Sequence, residues 1–116
     1  MKKIVFVVLT LAFALPLVAE SDDDAEARIQ AGKEIAFDRR KGNCLACHAI
    51  EGGELAGNYG PPLIVMKNRF PDRDVLRAQI WDATVRMPST RMPPYGRHRI
   101  LTEEEIDLVV DFLLTL

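Results

Sequence analysis

The sequence predicts an all-α fold in one small domain, on three observations. Apolar residues recur at helical spacing in three separated segments, alternation at period two is absent, and the stretches between them are rich in glycine and proline. At 116 residues the chain is sized for a single domain. Its formal charge of −2 and mixed composition give no sign of a nucleic-acid-binding protein.

Taken in order, residues 1–19 read as a secretory signal peptide. Lys2 and Lys3 form a basic start, an uncharged apolar run follows, and Ala19 supplies a small residue at the end. The run is short for a membrane span and is interrupted by Pro16, so no span is expected after cleavage; an uncleaved anchor is the alternative. Residues 20–27 are acidic and lack apolar periodicity before Ile29, which predicts a solvated, mobile tail. Residues 28–116 are then the folded domain.

The first helix is expected over residues 28–37, with Ile29, Gly32, Ala36 and Phe37 on one side. A glycine on the apolar side points to another helix crossing closely there, a chance glycine being the alternative. Gly42-Asn43 ends this element. Residues 51–62, with four glycines and prolines in the second half alone, predict a long loop. The next helix is expected over residues 72–84, N-capped by Asp72, with Leu76, Ile80 and Ala83 inward. The last begins at Thr102, where Glu105 completes a capping box and Leu101 can staple onto Ile106; Ile106, Val109, Val110, Leu113 and Leu114 make its inner face. That face is expected to cross the Gly32–Phe37 helix.

The chemistry concentrates in Cys44-Leu45-Ala46-Cys47-His48, which holds the only two cysteines in the chain. Two thiols three residues apart share one side of a turn, and the histidine after them faces the same way. This is the attachment signature of a c-type haem: Cys44 and Cys47 add to the vinyl groups as thioethers, and His48 ligates the iron. A redox dithiol or half of a zinc site are the competing readings. Zinc would need two more ligands, and His98 is the only other histidine. A covalent porphyrin would also supply core that so short a chain lacks.

A ligating histidine needs its other ring nitrogen fixed by an acceptor. Gly60-Pro61-Pro62-Leu63 is the natural supplier, because proline offers a carbonyl and a stiff turn; the carbonyl of Pro61 is the candidate. A sixth ligand is sought among the methionines. Met92 is preferred because Pro93-Pro94 can hold its sulfur in place, Met87 before Pro88 is the rival, and Met66 reads as core filler. Trp81 lies against the porphyrin or serves as a core aromatic. Basic residues predominate over residues 39–99, which contain both proposed ligands, so the surface near the haem is expected to be positive and to steer acidic partners.

Several segments resemble the SoxX family, the monohaem cytochrome c subunits of bacterial sulfur-oxidising SoxAX complexes. They are residues 41–48, Gly60-Pro61-Pro62-Leu63, Arg69-Phe70-Pro71-Asp72, residues 78–84, Met92-Pro93-Pro94-Tyr95-Gly96-Arg97-His98 and residues 100–107. Met87 departs from that pattern, which has a polar residue there. The resemblance implies a cytochrome c-like fold with N- and C-terminal helices packed across each other around one covalent haem c. It implies Cys44 and Cys47 as attachment points with His48 and Met92 as iron ligands. It further implies a periplasmic heterodimer with the SoxA cytochrome, which acts on thiosulfate and the SoxYZ carrier as an L-cysteine S-thiosulfotransferase. This chain would carry out no catalysis alone and would pass electrons to a soluble acceptor cytochrome. The residues themselves reach less far. Six-coordinate haem favours outer-sphere electron transfer, which a free-standing periplasmic carrier would equally perform; a haem enzyme with an open sixth position is the further alternative.

Overall fold

The computed structural model describes residues 21–116, so the expected signal peptide lies outside the described residues. Among the described residues every regular element is helical: α1 (Asp22–Phe37), α2 (Met66–Arg69), α3 (Arg73–Trp81) and α4 (Glu103–Leu113). Short 3-10 turns at Cys44–Ala46 and Ala83–Val85 complete the set. No described helix is long and apolar enough to cross a membrane.

The helix α1 starts earlier than its apolar pattern suggests, and the acidic segment expected as a mobile tail is its first turn and a half. The Ser21 hydroxyl accepts from the Asp24 N–H, and the Asp24 carboxylate accepts in return from the Ser21 backbone. Asp22, Asp23 and Asp24 sit at the positive end of the helix dipole, where carboxylates stabilise. Capping chemistry, not burial, forms this turn, since residues 21–27 are all exposed.

The main packing is α1 against α4. A Cβ placed on Gly32 would lie 2.0 Å from the Leu108 carbonyl oxygen, so the two backbones touch there, as the glycine on the apolar face implied. Around this crossing, Ile35 and Ala36 meet Ile106, Val109, Val110, Phe112 and Leu113, all buried. Phe37 meets Phe112 edge to face at 6.0 Å. Arg28 pairs with Asp111 at 2.6 Å on one flank, and Lys41 with Glu105 on the other. The α4 boundaries follow its sequence signals: Thr102 and Glu105 form the capping box, and Leu101 is buried with Ile106.

Helix α3 lies along α4, with Leu76 and Ile80 buried and Arg73 and Arg77 reaching across to Asp107, Asp111 and Glu103. It ends at Trp81, three residues short of the expected end. Asp82 is the cause. Its N–H closes α3 on the Ala78 carbonyl, while its carboxylate accepts from the backbone and hydroxyl of Thr84 and opens the next turn. Ala83 is buried in that turn, as its place on the apolar stripe required.

The short α2 has no signal in apolar periodicity. It follows Val65, whose φ of 47° is left-handed, a costly conformation for a β-branched residue. Its one inward residue is Met66, 2% exposed, whose N–H donates to the Leu116 carbonyl at 2.8 Å.

The α1–α4 contact gives a direct test. Gly32→Ala forces a methyl into the Leu108 carbonyl and should lower stability by about 2 kcal/mol or more, read as the denaturant midpoint of the holoprotein. An unchanged midpoint would mean that the helices do not touch at this point.

Candidate haem site

The Cys-Cys-His segment leaves α1 through a fixed turn. The Gly42 N–H donates to the Ile35 carbonyl at 3.1 Å, and Asn43, at φ 48°, turns the chain in a left-handed conformation that asparagine tolerates. The 3-10 turn Cys44–Ala46 follows, closed by N–H donation from Cys47 (3.2 Å) and His48 (2.9 Å) to the Cys44 carbonyl. Cys44, Cys47 and His48 are therefore consecutive projections of one turn, all half-buried. Both cysteines are free thiols. Burial pushes the Cys44 thiol up to about 11, far from the activated thiolate of a redox dithiol. No three His, Cys, Asp or Glu side chains come together as a metal-holding cluster among the described residues.

The following loop is laced onto this turn. Gly57 N–H donates to Leu45 O at 2.8 Å, Gly60 N–H to Cys47 O at 2.7 Å, and Leu63 N–H to Ala49 O at 2.9 Å. Gly60 lies against the imidazole, where a Cβ would stand 2.3 Å from His48 Cε1. Nδ1 of His48 is 2.6 Å from the Pro61 carbonyl oxygen. A carbonyl can only accept, so this contact places a proton on Nδ1 and, in the neutral ring, leaves the lone pair on Nε2. The carbonyl of Pro62 is held in turn by the Arg69 guanidinium at 2.9 Å.

The methionines separate by environment. Met66 is inside the core with Leu76 and Ile80, and its sulfur accepts from Arg69 at 3.5 Å. Met87 is 59% exposed. Met92 is half-buried and packs on the same apolar cluster as Cys44, Leu45, Phe70 and Trp81. Its N–H donates to the Thr90 hydroxyl at 3.2 Å, and Pro94 behind it is buried. Trp81 is half-buried against Gly96 and carries Arg77 above its ring at 5.9 Å, which describes a core-edge aromatic. His98 is exposed.

The basic residues also separate. Arg73 and Arg77 are turned onto α4, Arg97 pairs with Asp82 at 3.0 Å, and Lys41 pairs with Glu105. Lys67, Arg69, Arg86 and Arg91 are exposed on the segments that flank His48 and Met92. Two of these share one aromatic ring: Arg69 and Arg86 both lie about Phe70, at 6.0 and 5.9 Å. Arg91 likewise covers Tyr59 at 5.6 Å. Tyr95 is buried with its O–H donating to the Gly42 carbonyl. Its distance of 53 residues from that carbonyl leaves no local signal.

These residues fit a haem. The imidazole is oriented with one nitrogen bare, the glycine beside it leaves the ring room, two free thiols sit on the adjacent turn, and a half-buried thioether lies on the same apolar cluster. A covalent c-type haem protein is the class that this fold and donor set define. The cytochrome c family model matches residues 29–116, and the chain belongs to the cytochrome c family, whose members carry covalently bound haem c. Cytochrome c55X of Pseudomonas aeruginosa is 31% identical over 106 residues, covering 91% of this chain and 80% of that protein. An uncharacterized lipoprotein of Aquifex aeolicus is 36% identical over 75 residues, 64% of this chain; the matched part is 36% of the lipoprotein's own length.

Gly60→Ala tests the imidazole seat. The added methyl cannot coexist with the ring, so His48 must swing off the Pro61 carbonyl. The expected result is a lower yield of haem-loaded protein and a shifted Soret band in what remains; a normal yield with an unshifted spectrum would contradict this seat.

Proposed function

We propose that this chain is a one-electron carrier: Cys44 and Cys47 would hold the haem covalently, and His48 and Met92 would ligate its iron. Bound there, haem supplies a ferric/ferrous couple. The chain's own groups set its behaviour. The Pro61 carbonyl holds the Nδ1 proton of His48, fixing the ring and raising the basicity of Nε2. A soft sulfur ligand from Met92 would favour the reduced state of such a haem. The exposed Lys67, Arg69, Arg86 and Arg91 would steer an acidic redox partner. The observation that carries this reading is His48, held on the Pro61 carbonyl with its other nitrogen bare.

In finer terms, the proposal is the electron-transfer subunit of a SoxAX complex. In that role it takes electrons released when thiosulfate is joined to a carrier-protein cysteine, with SoxA as its heterodimer partner. Those electrons then go to a soluble acceptor cytochrome. The segments around Trp81 and Met92–His98 support this assignment. A periplasmic location goes with it, supported by the basic-apolar start of the sequence and by the lipoprotein relative. The second reading is a free-standing carrier, favoured by the similarity to cytochrome c55X over most of both chains.

Two measurements test these statements. Visible spectra of the ferric protein should show a low-spin haem with the methionine–iron charge-transfer band, lost in Met92→Ala; a band that survives the substitution would move the ligand to Met87. Affinity purification of the tagged chain from its native cells should bring down a larger c-type cytochrome. A monomer free of haem-bearing partners would contradict the SoxAX role and leave the free-standing carrier.

A further inference from the structure

We propose that Tyr95 is a positioning residue for the axial sulfur: its phenol clasps the Met92 segment to the haem-attachment turn and so sets how firmly Met92 stays on the iron. This deepens the carrier reading above and rests on Met92 being the ligand.

Tyr95 lies three residues beyond Met92, across Pro93 and Pro94, and is only 8% exposed. Its O–H donates to the carbonyl oxygen of Gly42 at 2.5 Å. Gly42 lies two residues before Cys44 and is itself immobile. A Cβ there would lie 2.8 Å from the Ile35 carbonyl oxygen and 3.0 Å from Ala36 Cα, so its backbone is pressed onto α1. The phenol therefore grips an acceptor that belongs to the rigid base of the attachment turn. The Tyr95 carbonyl accepts from Ile100 and Leu101 at 2.9 and 3.1 Å, which fixes the residue from behind.

The same segment has a second fastening of a different kind. Gly96 lies under Trp81, where a Cβ would stand 2.0 Å from the ring, and its N–H donates to the Trp81 carbonyl at 3.1 Å. That contact ties the segment to α3. The Tyr95 hydrogen bond instead ties it to the turn that carries Cys44, Cys47 and His48. Burial holds the phenol protonated well above the ordinary tyrosine range, so it stays a donor across physiological pH.

Methionine sulfur is a neutral, weak ligand, and the clasp resists its replacement where the Met92 segment moves with it. Moving it breaks the Tyr95–Gly42 bond and strands a buried carbonyl. Removing the hydroxyl removes that resistance, and one buried hydrogen bond is worth about tenfold in an equilibrium constant.

The test is titration of the ferric holoprotein with imidazole, followed by loss of the methionine–iron band. Tyr95→Phe should start with the band intact and bind imidazole about tenfold more tightly than wild type. In a Met92→Ala background the same substitution should have no effect on imidazole affinity. An affinity unchanged by Tyr95→Phe, even with lowered overall stability, overturns the clasp while leaving Met92 as ligand. A Met92→Ala protein that keeps the band overturns the axial assignment and the clasp with it. Should Tyr95→Phe fail to mature, wild-type protein supplies the answer through reciprocal coupling. Imidazole binding should speed hydrogen exchange at the Gly96, Ile100 and Leu101 amides about tenfold, and unchanged protection overturns the proposal.

Discussion

The hydrogen bond from His48 Nδ1 to the Pro61 carbonyl is the interaction on which the rest of this structure converges. An imidazole on a flexible turn rotates freely and presents either nitrogen. Here an acceptor-only group fixes the proton on one nitrogen and bares the other. The contact needs Gly60, because any side chain there would occupy the space of the ring. It also needs the 51–63 loop pinned to the attachment turn, which the Gly57, Gly60 and Leu63 amides accomplish. A loop without regular structure thus becomes a rigid seat through backbone hydrogen bonds and close glycine packing.

That seat stands on a scaffold built around a single backbone contact. Because Gly32 lets α1 reach the Leu108 carbonyl, α1 ends where Gly42 and Asn43 can turn the chain into Cys44. Helix α3 is then clamped along α4 by the arginine pairs with Asp107 and Asp111. From its end, Trp81 and Asp82 receive the returning segment through Gly96 and Arg97. Met92 is half-buried on the apolar cluster that Cys44 and Leu45 of the attachment turn also join.

Much of this is legible in the chain. The attachment motif is local, and the caps of α3 and α4 depend on residues within three positions of one another. Gly32 on an apolar face announces a close crossing, and Gly-Pro-Pro announces a stiff carbonyl. What escaped the sequence has physical reasons. The acidic start of α1 is held by a serine–aspartate cap without apolar periodicity, so a search for buried faces passes over it. The early end of α3 turns on Asp82, which serves two turns at once. Helix α2 is a single turn with one inward residue, too short for any period. Tyr95 on the Gly42 carbonyl, Arg86 on Phe70 and Arg91 on Tyr59 act across long sequence separations, where neither propensity nor spacing carries a signal.

The central claim is that this turn holds a haem covalently through Cys44 and Cys47. It is tested most directly by denaturing mass spectrometry of protein matured in a periplasm competent for haem attachment. The account predicts a polypeptide heavier by one haem, retained through acid-acetone extraction and lost when both cysteines are replaced by alanine. A bare polypeptide mass, or a haem that extracts freely, would contradict it.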